Sequence, residues 1–188
     1  MNETDEKLYM RFLKKRDSDD LRVLLERYKE SLTLFIYGYV HDMEDAEELM
    51  LDTFAVAASG TSHFGGRSSF KTWLFAIGRN QAMKHLRKHR FQAGTLYEEN
   101  TVTGTDPEQD PDLNILRKER NANLYRALNQ LNPDYRQALY LVFFEGMDHD
   151  EAARAMGKTK KQLYNLVTRG KASLKSILER MGVDPDSY

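Results

Sequence analysis

Cysteine is absent from all 188 residues. That excludes a disulfide framework and a thiolate zinc site, and it fits a reducing, cytoplasmic setting. Proline is scarce as well, and two of the four prolines fall in one short acidic stretch. No apolar run approaches the roughly 20 residues needed to span a bilayer, so no direct membrane insertion is expected. The opening MNETDEKLYM is acidic where a secretory leader is basic and then apolar. There is also no glycine-rich phosphate loop and no nucleophile motif. Neither an enzyme nor a cofactor is therefore expected. What remains is 40% hydrophobic and 30% charged residues, enough to build a soluble core.

The net charge of −1 hides a pattern. Residues 1–91 carry 15 basic and 14 acidic side chains, a net +1. Residues 92–115 carry six acids and no base, a net −6, and residues 116–188 carry 13 bases and nine acids, a net +4. Basic helices are diluted by an acidic connector, and overall charge is a poor guide to partners.

Nearly every periodic segment reads as helix. Leu21, Leu24, Leu25, Tyr28, Leu32, Phe35, Ile36 and Tyr39 recur at three- and four-residue steps after a capping cluster at Asp17, Ser18 and Asp19. A second helix starts near Asp42 to Glu44, with acids favourably placed in its first turn. It buries Ala46, Leu49, Thr53, Phe54 and Ala57, and stops at Ser59-Gly60. A third runs from a Ser68 or Ser69 cap to about Arg90. Residues 92–115 then lose periodicity and carry two Asp-Pro steps. The expected fold is all-α: two small helical domains, 1–92 and 117–188, joined by a flexible acidic linker at 93–116.

The second domain reads as four helices. Arg117–Gln130 carries Leu124 and Leu128, with Leu131 just beyond. Pro133 opens the next helix, where its missing N–H costs nothing, and Glu145-Gly146 closes it. Asp148 caps HDEAARAM, Gly157 breaks the chain, and Thr159 caps the last helix. This is helix-turn-helix form, winged-helix-like, with Leu163, Val167 and Leu174 packing inward. Between Lys158 and Lys175 stand six cations and no acid. A helix docked through Leu163 and Val167 turns Lys160, Lys161, Tyr164, Asn165, Thr168, Arg169 and Lys171 outward. Asn and Arg pair bidentately with adenine and guanine edges, and Lys grips phosphate. A merely solvated hairpin is the alternative, although solvated faces usually alternate in sign.

In the first domain, FGGRSSFKTWLFAIGRNQAMKHLRKHR is aromatic at one end and basic at the other. That suits unpaired bases against rings and phosphates against cations. Phe70, Trp73, Leu74 and Ile77 also read as core, but Phe75 lies on a different side from Ile77, so one face is not expected to bury them all. The His63–Ser69 loop with Asn80 is a candidate pocket for a flipped base. Arg79, Lys84, Arg87 and Lys88 are placed to hold the adjoining backbone. His85 and His89 share a face, but no cysteine or nearby carboxylate is expected to complete a metal set and their neighbours are cations, so a phosphate-facing role or plain solvation is expected instead. No metal site is expected there. DMEDAEE lacks the Glu-x-x-His pattern of a di-metal bundle and reads as an acidic protein-binding face.

DMEDAEELMLDTF, then FGGRSSFKTWLFAIGRN, then the helix-turn-helix resemble, in that order, the extracytoplasmic-function sigma factors of bacterial RNA polymerase, within the sigma-70 family. The resemblance implies that the first domain binds polymerase core, chiefly the β′ clamp helices with the β subunit nearby, and opens the −10 element of promoter DNA. The second would read the −35 element, with the linker near the RNA exit. By position it implies polymerase contacts at Asp45, Glu47, Glu48, Leu49 and Asp52, with Phe54 in the core. It implies −10 contacts at Phe64, Arg67, Ser69, Lys71, Trp73 and Asn80, and −35 base contacts at Tyr164, Asn165, Thr168 and Arg169. An anti-sigma factor, often membrane-bound, is a further implied partner. The chain departs from the family pattern at Leu51, Lys158, Leu166 and Gly170. An autonomous helix-turn-helix regulator would account for 148–175 but not for FGGRSSFKTWLFAIGRN.

Overall fold

The computed structural model describes residues 3–16, 18–92 and 122–184. Among them the α-helices are α1 (Asp5–Lys15), α2 (Ser18–Val40), α3 (Met43–Ser59), α4 (Phe70–Gln92), α5 (Ala122–Asn129), α6 (Pro133–Leu139), α7 (His149–Met156) and α8 (Lys160–Arg180). The expected linker, 93–116, lies outside the described residues, as does Asp17.

Local signals account for most boundaries. The Asp42 carboxylate accepts the Asp45 N–H at 2.9 Å and caps α3, which ends on Gly60 in the left-handed region. Of the two serines, Ser69 caps α4, its Oγ accepting the Thr72 N–H at 3.2 Å. Pro133 occupies the first turn of α6 behind an Asn132 cap. Both α7 and α8 open on capping boxes, Asp148 with Glu151 and Thr159 with Gln162. Gly157, φ 62°, makes the turn between them. After α6 the backbone widens into one π-type turn, Tyr140–Phe144, before Gly146.

Helix α1 was not legible as a separate element. Thr4 precedes it, Asp5 and Glu6 lie in its first turn, and Leu8, Tyr9 and Phe12 form its buried face. Tyr9 is fully buried and donates through its hydroxyl to the Ala57 carbonyl at 2.9 Å. Glu6 accepts the Phe70 N–H at 2.9 Å. The helix thereby closes the end of a bundle formed by α2, α3 and α4.

Packing shows how α4 buries residues on more than one side. Phe70, Leu74 and Phe75 are fully buried and Ile77 nearly so. One face does not achieve this. Helix α4 packs against α2, α3 and α7, so apolar residues on different sides are covered by different helices. Phe75 meets Phe35 of α2, ring centroids 5.1 Å apart.

Candidate nucleic-acid interface

Helix α8, the second of the helix-turn-helix, is anchored through Leu163, Val167, Ile177 and Leu178, all buried. Gly170 lies on the same side. A Cβ there would stand 3.3 Å from both Tyr135 Cβ and Leu139 Cγ. This glycine inside α8 therefore permits a close α6–α8 crossing, which offsets its intrinsic cost of about 1 kcal/mol. Lys158 is likewise explained: its ammonium lies 3.0 Å from the Asp134 carboxylate of α6.

Opposite that anchor, Lys160, Lys161, Tyr164, Asn165, Thr168, Arg169 and Lys171 are all exposed. Some are held in place. Lys160 pairs with Asp150 at 2.7 Å, Thr168 donates to the Tyr164 carbonyl, and the Lys171 ammonium sits 5.0 Å from the Phe143 ring centroid. Asn165 and Arg169, four residues apart, share the middle of the exposed face.

The residues assigned to the −10 strand are not all open. Phe64 is buried and Trp73 partly so. Their rings lie 5.3 Å apart in a cluster with Tyr9 and Phe70. Arg67, Asn80, Lys84, Arg87 and Lys88 are exposed. Ser69, Lys71 and Arg79 instead face the second domain. Ser69 donates to Glu151 at 3.1 Å. Lys71 lies 2.8 Å from the Glu145 carboxylate and donates to its carbonyl at 2.7 Å. The Arg79 guanidinium packs on Gly157. In α3, Glu47, Glu48 and Asp52 are exposed, while Leu49 is buried in the core. Leu51, a departure, is exposed instead.

The docking of the two domains has its centre at Gly38. A Cβ on Gly38 would stand 1.9 Å from Gln137 Nε2. The missing side chain lets buried Gln137 donate to the Phe35 carbonyl at 2.9 Å. Beside it Arg136 donates to the Gly38 carbonyl at 2.7 Å and to His41 Nε2 at 3.0 Å. Tyr140 donates to the Ser31 carbonyl at 3.1 Å. Burial lowers the Arg136 pKa to about 10. A buried guanidinium held mainly by carbonyl and imidazole acceptors is a costly arrangement.

His41 makes the docking pH-sensitive. Its Nε2 accepts from Arg136, which requires a neutral ring. Burial first and the Arg136 charge second bring its pKa down to about 4. Separated and rehydrated, the ring returns toward about 6.5. Across pH 6.5 to 4 the separated state binds the extra proton, so docking weakens as pH falls through that window. X-ray scattering on acidification should show expansion with helicity retained. His41→Asn, which tolerates the left-handed backbone (φ 59°), should remove the pH response.

One contact contradicts the reading of the histidines. A carboxylate does stand beside them: His85 Nε2 lies 3.0 Å from Asp45 Oδ2, brought across by α3. Residues forty apart in sequence meet here because α3 packs on α4.

Two helical modules, the second ending in a helix-turn-helix whose last helix has an exposed basic face, define the class of the protein. Residues 24–92 match Sigma-70 region 2, and residues 121–174 match Sigma-70, region 4. The chain belongs to the sigma-70 family, in its extracytoplasmic-function group, and its function is promoter-specific transcription initiation. It is similar to the ECF RNA polymerase sigma factor BldN of Streptomyces coelicolor, with 30% identity over 86% of this chain and 61% of BldN. It is also similar to the RNA polymerase sigma-H factor of Pseudomonas aeruginosa, with 29% identity over 82% of this chain and 83% of that one. Among solved structures, CnrH in complex with the cytosolic domain of CnrY gives a TM-score of 0.65 at 21% identity, covering 95% of this chain and 99% of that one. The sigma factor RpoE, in complex with the anti-sigma factor NepR from Bartonella quintana, gives 0.63 at 24%, covering 85% and 97%. These two likenesses establish the fold.

Proposed function

We propose that residues 1–92 bind the polymerase core and the −10 element, and that residues 117–188 read the −35 element. The observation that carries this is the face of α8. Seven polar or basic side chains are exposed there, with no acid from Lys158 to Lys175. On α3, Glu47, Glu48 and Asp52 form the exposed acidic surface for the cations of the β′ clamp helices. Asp45, partly engaged by His85, lies at its edge, and Leu49 supports it from below. Strand opening follows from preferential binding of unpaired bases, with Arg67, Asn80, Lys84, Arg87 and Lys88 available to the strand. Ser69, Lys71 and Arg79 join them once the second domain moves off α4. Docked and promoter-engaged states are thus mutually exclusive at these three residues.

Combining the chain with core polymerase should give initiation at a distinct promoter set; no specific starts on genomic DNA would refute the assignment. Arg169→Ala should weaken −35 binding by about 1–3 kcal/mol and relax base preference, whereas Lys175→Ala should mainly reduce the salt slope. Equal behaviour of both variants in salt-dependent binding assays would remove the division between base and phosphate contacts. An anti-sigma factor is the regulatory partner we infer, since the similar RpoE is solved in complex with one, and the polymerase-facing surface of α3 is where it would act. Recovery of the chain from its host with such a protein, and not only with polymerase, tests that part.

A further inference from the structure

We propose that Asp45, His85 and His89 form a site for one divalent transition ion of the zinc class, bridging α3 and α4. One donor atom from each of the three side chains lies within 4.8 Å of the others. His85 is already oriented, its Nε2 3.0 Å from the Asp45 carboxylate. His89 is exposed, with water available around it, yet its ring lies against His85 at 4.3 Å between centroids and 34° between planes. Bonds to zinc run about 2.0–2.2 Å for imidazole nitrogen and carboxylate oxygen. Donors in a tetrahedral set therefore stand about 3.3–3.5 Å apart, and side-chain rotation alone can close the set.

The donor chemistry chooses the ion. Two imidazoles and one carboxylate suit zinc, cobalt, nickel or copper, whereas magnesium and calcium require mainly oxygen ligands. With three protein ligands, a position is left for water, as in an open site. Charge nearby is mixed. Lys84, Arg87, Lys88 and Arg90 are on α4, but the first three are exposed and Arg87 turns its Nε back to the Met83 carbonyl. The first turns of α3, together with its cap, bring Asp42, Glu44, Glu47 and Glu48 to the same end of the helix pair as Asp45. The fold supplies the negative charge that the sequence around the histidines lacks. A bound ion ties the start of α3 to the basic half of α4 and occupies Asp45. That consequence for polymerase or DNA contact rests on the proposed function; the binding itself does not.

The test uses the full chain stripped of metal by a chelator. It is titrated with cobalt(II), read by its visible absorption, and with zinc(II), read by calorimetry. One ion per chain is expected, with zinc displacing cobalt and bleaching the spectrum. His89→Ala, an exposed position whose loss leaves the core intact, should lower affinity more than about tenfold, since even outer partners of metal ligands are worth that much. His63→Ala, at an exposed histidine away from these three residues, should leave metal affinity unchanged. Absence of saturable one-to-one binding, or binding unaffected by His89→Ala, overturns the site. Neither readout involves polymerase or DNA, so failure here leaves the promoter-reading assignment standing, and the reverse holds too.

Discussion

Gly38→Leu is expected to part the two domains while leaving each folded. The new side chain must enter space that Gln137 occupies, since even a Cβ would lie 1.9 Å from its amide nitrogen. Gln137 is almost wholly buried and its partner is the Phe35 carbonyl. Displacing it strands a buried donor or acceptor at about 1–3 kcal/mol. Arg136 loses its approach to the Gly38 carbonyl at the same time, and a buried guanidinium without that acceptor favours return to water. Within α2 itself the sign is opposite. Replacing a helical glycine by a good helix former gains up to about 1 kcal/mol. The first domain should therefore unfold at no lower denaturant concentration than before, while the docked pair opens. A compact chain of this length has a radius of gyration of about 16 Å. Scattering should report a clear increase above that value, and Lys71 and Ser69 should gain access to solvent. A variant that stays compact would show that the docking does not depend on the close approach at Gly38.

Much of the fold was legible because its signals are local. Asp42, Ser69, Pro133, Asp148, Thr159, Gly60 and Gly157 each act on backbone groups within a few residues, and each sits where the helix boundaries fall. The outward face of α8 was legible for the same reason. A 3.6-residue period with Leu163 and Val167 inside leaves little freedom for Tyr164, Asn165, Thr168 and Arg169. What could not be read are pairings between distant segments. Nothing near His85 announces Asp45, and nothing near Lys71 announces Glu145. Helix α1 had signals, an acidic first turn and a Leu8–Tyr9–Phe12 stripe, but a single short stripe acquires meaning only from the aromatic pocket it covers. Glycines inside helices mark three close approaches, and at Gly78 of α4 a Cβ would stand 2.9 Å from Leu32 Cδ1. Gly38 and Gly170 both violate helix propensity, and both lie where another helix comes too near for a Cβ.

Phe75 shows what tertiary contact adds to a count of helical positions. Position alone set its ring off the side of α4 that holds Ile77 and named no surface to cover it. The structure supplies a covering helix for each side of α4, so Phe75 is core. Under the proposed −10 contact, less would rest on free aromatic surface and more on the exposed Arg67, Asn80, Lys84, Arg87 and Lys88, with Ser69, Lys71 and Arg79 added on release from the second domain.

Phe70→Ala should be the most damaging single change in the first domain. The ring is fully buried, with centroid separations of 5.0 Å to Tyr9, 5.7 Å to Trp73, 6.0 Å to Tyr28 and 6.2 Å to Phe64. Removing it forfeits the ring's transfer energy and leaves a cavity at the meeting point of α1, α2, α4 and the 60–69 loop, about 3–5 kcal/mol in all. Denaturant titration should show that loss, whereas Lys84→Ala, exposed on the same helix, should stay within about 0.5 kcal/mol. The damage has a direction. Tyr9 loses a ring contact, and the Glu6 bond to the Phe70 N–H must then hold α1 with less apolar support, so amide exchange should rise first across α1. Phe64 and Trp73 lose their common neighbour in the same step, and with it the fixed position of the loop that carries Arg67. Promoter opening should therefore fall even at denaturant-free, folded conditions. If α1 exchange and strand opening both stayed at parent levels, the aromatic cluster would not be what orients that loop.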